Sequence, residues 1–284
     1  MRIQLDDPFD LNSSPFDRDR LDAATQRALD ALDPAQFPEA RAQLAEALRD
    51  GDAPYYIASM LLGCDRPKDL PPHLVDYIID LYEMEIAEGN DDAMIDLGVR
   101  FYIGDRGFAQ DFKRAMALYQ MAAERGNSHA WQNLGYCYYY GRDGAVDYEK
   151  AFRCFATGAF EGRPVSLYKI GDMYLNGYYV EKNPEEACRI YQRCLELRGE
   201  PGFDDAAGPV RLRLGNLYLN GIGTVQDPML ALEHYGQAEL LLIRMIQNGD
   251  FMYKNSLREA IEGQARARAL LMEDFPADEW TLDG

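Results

Sequence analysis

Residues Asn127 to Gly162 read NSHAWQNLGYCYYYGRDGAVDYEKAFRCFATGAFEG. The stretch has the pattern of one helical hairpin. A first helix runs from Ser128 to Tyr140, a turn from Gly141 to Val146, and a second helix from just after Asp147 to Gly162. The same pattern returns along the chain. Leu97-Gly98, Leu134-Gly135, Ile170-Gly171 and Leu214-Gly215 open it, and an aromatic follows three residues later at Phe101, Tyr138, Tyr174 and Tyr218. A second glycine stands at Gly104, Gly141, Gly177 and Gly221, then a capping residue at Asp111, Asp147, Asn183 and Asp227. An alanine (Ala115, Ala151, Ala187, Ala231) and another aromatic (Tyr119, Phe155, Tyr191, Tyr235) complete each copy. The glycine-to-glycine spacings are 37, 36 and 44 residues. Self-similarity at this period is the signature of a helical array.

The register has a physical cause. A glycine inside a helix costs about 1 kcal/mol relative to alanine. Four of them at one position imply that a neighbouring helix comes too close for a side chain, and the alanine of the second helix is the expected partner. The turn glycines can take positive φ at the end of the first helix. The Asp or Asn then accepts from free backbone N–H groups of the second helix. Asn183-Pro184 and Asp227-Pro228 place proline at the first helical position, where its missing N–H costs nothing. Asn183 with Glu186 fits a capping box.

The totals bound the function. The chain has 284 residues, is 47% hydrophobic, and carries a formal charge of −19 with a pI near 4.5. That balance argues against nucleic-acid binding, which needs a basic footprint, and against docking on an anionic membrane. No apolar run approaches the ~18 residues of a membrane span. The opening residues, MRIQLDDPFDLNSSPFDRDR, are acidic and lack an apolar signal core, so a cytoplasmic location is expected. Cys64, Cys137, Cys154, Cys188 and Cys194 form no CxxC pair and read as small buried thiols.

Taken in order, residues 1–20 are expected to be extended or disordered. Residues 21–89 read as two degenerate hairpins, with Ala58 at the glycine register of the second. Residues 90–247 hold four regular repeats. The segment Glu200–Gly208 is an insertion that explains the spacing of 44, and the last second helix continues to about Asn248. Residues 248–284 supply a final capping helix and a tail that Trp280 can anchor. The fold class is all-α.

The combination L-G-x-x-Y-x-x-G, then Asp or Asn, then alanine and an aromatic, resembles the Sel-one-like repeat, a relative of the tetratricopeptide repeat. The endings AAERGN (Ala122–Asn127) and GAFEG (Gly158–Gly162) fit it as well. The resemblance is strongest over 90–199 and good over 208–239. It implies a right-handed superhelical α-solenoid of antiparallel helix pairs whose first helices line a concave face. It also implies a scaffold or adaptor role in bacterial protein assemblies. The paired cysteines of the secreted relatives that have been called β-lactamases are not reproduced here.

Helical spacing then selects the inner-face positions. Three before the glycine come Ile95, Gln132, Tyr168 and Leu212. One after come Val99, Tyr136, Asp172 and Asn216. Four after come Tyr102, Tyr139, Leu175 and Leu219. Five after come Ile103, Tyr140, Asn176 and Asn220. From these, Tyr102, Gln132, Tyr136, Tyr139, Tyr140, Tyr168, Asp172 and Asn216 are the candidate partner-binding residues. Tyrosine gives contact area and a hydrogen bond at low entropy cost, although it also fills space between helices. A protein or peptide partner suits such a groove.

Catalytic signals are poor. His73, His129 and His234 have no ligand-spaced companion, and no GxSxG or GxxxxGK[ST] occurs. Gly221-Ile222-Gly223 lies in an inter-helix loop, not after a strand, so it is no dinucleotide fingerprint. The pairs Asp6-Asp7, Asp91-Asp92 and Asp204-Asp205 lack cation-loop spacing. No catalytic residue, metal or cofactor is expected. The alternative is a hydrolase with a site near His129.

Overall fold

The computed structural model describes residues 18–63 and 70–273. Among them there is no strand. The helices are α1 (Arg18–Ala31), α2 (Pro38–Asp50), α3 (Pro54–Gly63), α4 (Pro72–Ala87), α5 (Asp91–Ile103), α6 (Phe112–Glu124) and α7 (Ser128–Tyr140). Then follow α8 (Tyr148–Phe160), α9 (Pro164–Asn176), α10 (Pro184–Glu196), α11 (Phe203–Asn220), α12 (Pro228–Gln247) and α13 (Lys254–Glu273). A single 3-10 turn, Phe251–Tyr253, precedes α13. The fold is that of an all-α solenoid. Contacts divide the chain into two compact units, Met1–Cys137 and Tyr138–Gly284.

The repeat pattern dictates the hairpin. Gly104, Gly177 and Gly221 end their first helices in the left-handed conformation, at φ of 67°, 75° and 64°. Asp111, Asp147, Asn183 and Asp227 each accept from a backbone N–H of the following helix, at 2.9–3.0 Å. One further bond recurs. The backbone N–H of each capping residue donates to the carbonyl of the first-helix aromatic, at Phe101, Tyr138, Tyr174 and Tyr218, over 2.8–3.0 Å. The loop after α5 is one residue longer, yet it closes with the same bond, because Arg106 and Gly107 both take positive φ. That bond uses the Asn183 N–H, so the capping box expected with Glu186 forms only its Asn183 half; Glu186 pairs with Arg189 instead.

The expected partner of the in-helix glycines needs correction. A Cβ on Gly98 would lie 2.5 Å from the ring of Tyr119, one on Gly171 2.6 Å from Tyr191, and one on Gly215 2.7 Å from Tyr235. The vacancy admits the edge of an aromatic ring, not the alanine, although Ala115, Ala187 and Ala231 are fully buried nearby. The magnitudes explain the choice. Burying a large apolar side chain is worth roughly 1.5–3 kcal/mol, more than the ~1 kcal/mol a helical glycine costs.

The less regular helices differ from expectation at their edges. α1 begins at Arg18, so residues 18–20 are helical and not extended. Polar ties hold this end of the first unit. Tyr77 and Thr25 share a hydrogen bond of 2.6 Å between α4 and α1, and Tyr55 donates to Asp96 at 2.8 Å. The second half of the 200–208 insertion is helical and lengthens α11, with Pro209 inside the helix. The readings for residues 1–17, Cys64 and residues 274–284, including Trp280, lie outside the described residues.

Candidate partner-binding surface

Exposure follows the register. Three before the glycine, Ile95, Gln132, Tyr168 and Leu212 are all buried. One after, Val99, Tyr136 and Asn216 are half-buried and Asp172 is buried. Four after, Tyr102, Tyr139 and Leu175 are half-buried and Leu219 is buried. Five after, Ile103, Tyr140, Asn176 and Asn220 are exposed. Of the eight candidate residues, then, Tyr140 is exposed, Tyr102, Tyr136, Tyr139 and Asn216 are partly so, and Gln132, Tyr168 and Asp172 are interior. Those three are corrected from surface to core: the register three before the glycine turns Gln132 and Tyr168 toward the neighbouring helices, Arg213 and Lys169 close over Asp172, and no partner reaches them without rearrangement.

In the second unit, Asp172 is the hub of a buried charge cluster. Arg213 donates to it from Nε and Nη2, Lys169 Nζ lies 3.4 Å away, and the Tyr191 hydroxyl donates at 2.7 Å. Burial works against the Asp172 anion, but the Arg213 guanidinium, helped by Lys169 and Tyr191, overcomes it and holds the carboxyl below its usual range. Arg213 also donates to the Pro209 carbonyl at 3.0 Å and lies 5.0 Å from the Tyr168 ring centre. Lys169 sits 5.1 Å from the Tyr139 ring and 5.7 Å from that of Tyr140.

Above this base lies an aromatic group. Tyr139 meets Tyr140, Tyr148 and Tyr178 edge to face, at centroid distances of 5.0, 5.5 and 6.0 Å. Tyr148 and Tyr178 stack at 4.3 Å. Burial and the nearby Asp172 charge push the Tyr139 phenol up. Tyr140 is 46% exposed, with Arg142 5.2 Å from its ring centre, and Tyr179 is 52% exposed. Farther along, α13 covers part of the register: Asn216 donates to Glu259 at 2.8 Å, and Arg266 to Asn220 at 3.2 Å.

Lys169 and Arg213 were not singled out by the inner-face spacing. A signal existed. The position two before each glycine is Asp96, Asn133, Lys169 or Arg213, polar in every repeat among mostly buried and apolar neighbours. His129 is half-buried in the first turn of α7, where its backbone N–H donates to Asn127 at 3.0 Å. Among the described residues no group of His, Cys, Asp and Glu is placed to hold a metal ion.

The Sel1 repeat family model matches residues 91–127, 132–159, 164–195 and 211–241. The chain carries four Sel1 repeats. Sel1-repeat proteins are generally protein-interaction scaffolds and typically not enzymes. Among solved structures, the Sel1 chain is similar to a Sel1 repeat protein from Oxalobacter formigenes. The two share 22% identity at a TM-score of 0.54, over 76% of this chain and 84% of that one. It is also similar to c5321, a protective antigen of uropathogenic Escherichia coli with an SLR fold. There the identity is 21% and the TM-score 0.46, over 88% of this chain and 56% of that one. No curated protein sequence matches the chain. The matched segments coincide with the hairpins closed by the recurrent capping bond. No described helix is long and apolar enough to cross a membrane.

Proposed function

We propose that this Sel1-repeat chain is a non-enzymatic adaptor that binds a protein or peptide partner. Its contact surface in the second unit is centred on Tyr140 and extends to the exposed Asn176. The carrying observation is the combination of an open Tyr140 ring with a fixed base. Tyr139 holds one side of the ring, Lys169 donates to its hydroxyl at 3.5 Å, and the Asp172–Arg213 cluster fixes Lys169 from below. A rigid aromatic with a polar tip loses little entropy on binding, which is why tyrosine recurs at binding hot spots. In the first unit, Tyr102 stands at the register of Tyr139 and Tyr136 at that of Asp172, and both offer half-exposed area. The hydrolase alternative near His129 gains no support from the family.

The test is site-specific photo-crosslinking from residue 140 in cells of the source organism, followed by capture with wild-type protein and Tyr140→Ala. A discrete crosslinked protein whose capture drops about tenfold or more with Tyr140→Ala supports the reading, hot-spot truncations being of that size. An unchanged helical signal shows that the variant is folded. No crosslinked species, or capture indifferent to the substitution, removes this surface from consideration.

A further inference from the structure

The last repeat is longer than its neighbours. Helix α10 has 13 residues, whereas α11 has 18 and α12 has 20. At 1.5 Å per residue, α12 runs on by roughly 10 Å. The added turns of α11 and α12 face each other, since a Cβ on Gly208 would meet Leu242 at 3.2 Å. A longer hairpin beside a shorter one leaves a step. A groove of about 960 Å³ opens at that step, lined in part by Leu195, Arg198, Phe203, Arg211, Leu240 and Arg244.

The charges of this groove are unusual for the chain. Acids outnumber Lys and Arg by 48 to 29, and several arginines elsewhere form ion pairs, among them Arg125 with Asp91, Arg153 with Glu149 and Arg213 with Asp172. Arg198 and Arg244 pair with no carboxylate among the described residues and are exposed. Arg211 is half-buried and donates to Nδ1 of His234 at 3.2 Å. Burial makes the Arg211 cation less stable; Glu233 offsets this and Arg198 adds to it, so the two guanidinium groups are close enough to repel. Glu200, Asp204 and Asp205 line the groove as well, and Glu200 turns its carboxylate toward the α8–α9 turn, 3.9 Å from where a Cβ on Gly162 would stand. Arg163, just before α9, is the cation that offsets Asp205. Between the arginines Leu240 is 70% exposed, and Gln237, Leu240, Leu241 and Arg244 share one helical stripe.

We infer that this groove docks an acidic amphipathic segment of a protein partner, its carboxylates on Arg198, Arg211 and Arg244 and an apolar residue on Leu240. Guanidinium groups pair with carboxylates in a bidentate manner, and an apolar anchor beside a charged rim is the usual arrangement of an interface. The site shares no residue with the Tyr140 surface, and either can fail alone.

The test uses the full chain and a short fluorescein-labelled helical peptide of glutamate and leucine, with a glutamine and leucine counterpart as control. Anisotropy titration should show saturable binding of the acidic peptide that weakens with salt. Arg198→Glu with Arg244→Glu should weaken it about tenfold or more, and Leu240→Ser should also weaken it. All three positions are exposed, so the variants should fold, and circular dichroism checks this. Absence of binding, equal binding of the glutamine counterpart, or indifference to the double reversal overturns the inference. Affinity that rises when residues 274–284 are removed would show the groove already taken by the chain's own acidic segment, and overturns the partner reading too.

Discussion

The buried carboxylate of Asp172 offers the sharpest test of how the second unit is held. Asp172→Asn keeps the shape and the acceptor for Tyr191 but removes the charge that faces Arg213 and Lys169. It also turns an amide N–H toward groups that can only donate. Removing one partner of a buried pair costs about 3–5 kcal/mol, because the other charge is left without compensation. Against the ~5–15 kcal/mol that holds a typical domain, this is a large share. Arg213→Met on that background removes the stranded guanidinium, so the double variant should be more stable than Asp172→Asn alone. The coupling between the two sites should then be about 2 kcal/mol, within the range for residues in one network. Helical arrays unfold in parts, so urea titration should be paired with amide exchange, and the loss should centre on α9, α10 and α11. A cost below about 1 kcal/mol for the single variant, or strict additivity in the double, would refute the reasoning.

Gly171→Ala drives a methyl group into the Tyr191 ring and should lower stability by about 1–3 kcal/mol. Gly236→Ala in α12 meets nothing within 4 Å and should raise it by about 0.5–1 kcal/mol, so thermal midpoints must order the two on opposite sides of wild type. Burial, then Arg211, lowers the His234 ring from 6.5 to about 4. The unfolded chain therefore binds the proton first, and the contribution of this residue to stability is complete above pH 6.5 and lost as the pH falls toward 4. His234→Phe keeps an aromatic ring against Tyr218 and should flatten that part of the pH dependence of the urea midpoint. Cys137, Cys154, Cys188 and Cys194 are buried, with burial pushing Cys154 and Cys194 up to about 12. With Cys64→Ser as background, dithionitrobenzoate should find no thiol at neutral pH until urea is added; rapid native labelling would contradict this burial.

Local chemistry was legible in the sequence, and contacts between distant residues were not. The left-handed glycines, the four caps and the helix limits of the regular repeats follow from signals within one hairpin. The ring that fills each glycine vacancy does not, because small facing small and small facing a ring edge leave the same mark on the sequence. Spacing put Tyr140, which is exposed, on the candidate surface. It put Tyr168 and Asp172 there too, since a helical wheel cannot tell which shoulder the next helix will cover. The bond from Arg213 to Asp172 joins residues 41 apart, and the groove beside Arg198 depends on unequal helix lengths. Neither has a counterpart in the repeat pattern itself.

Helix α13 packs on the last hairpin as the opening helix of one more repeat would. Gly263 stands where a Cβ would strike the same Tyr235 ring that Gly215 receives, so two notches hold that ring. An engineer who wishes to lengthen the array cannot append a copy behind α12 without displacing α13. The new unit has to be spliced upstream of α10, where the α4–α5, α6–α7 and α8–α9 junctions close alike, with Asn90 donating to Glu85, Asn127 to Ala122 and Arg163 to Gly158.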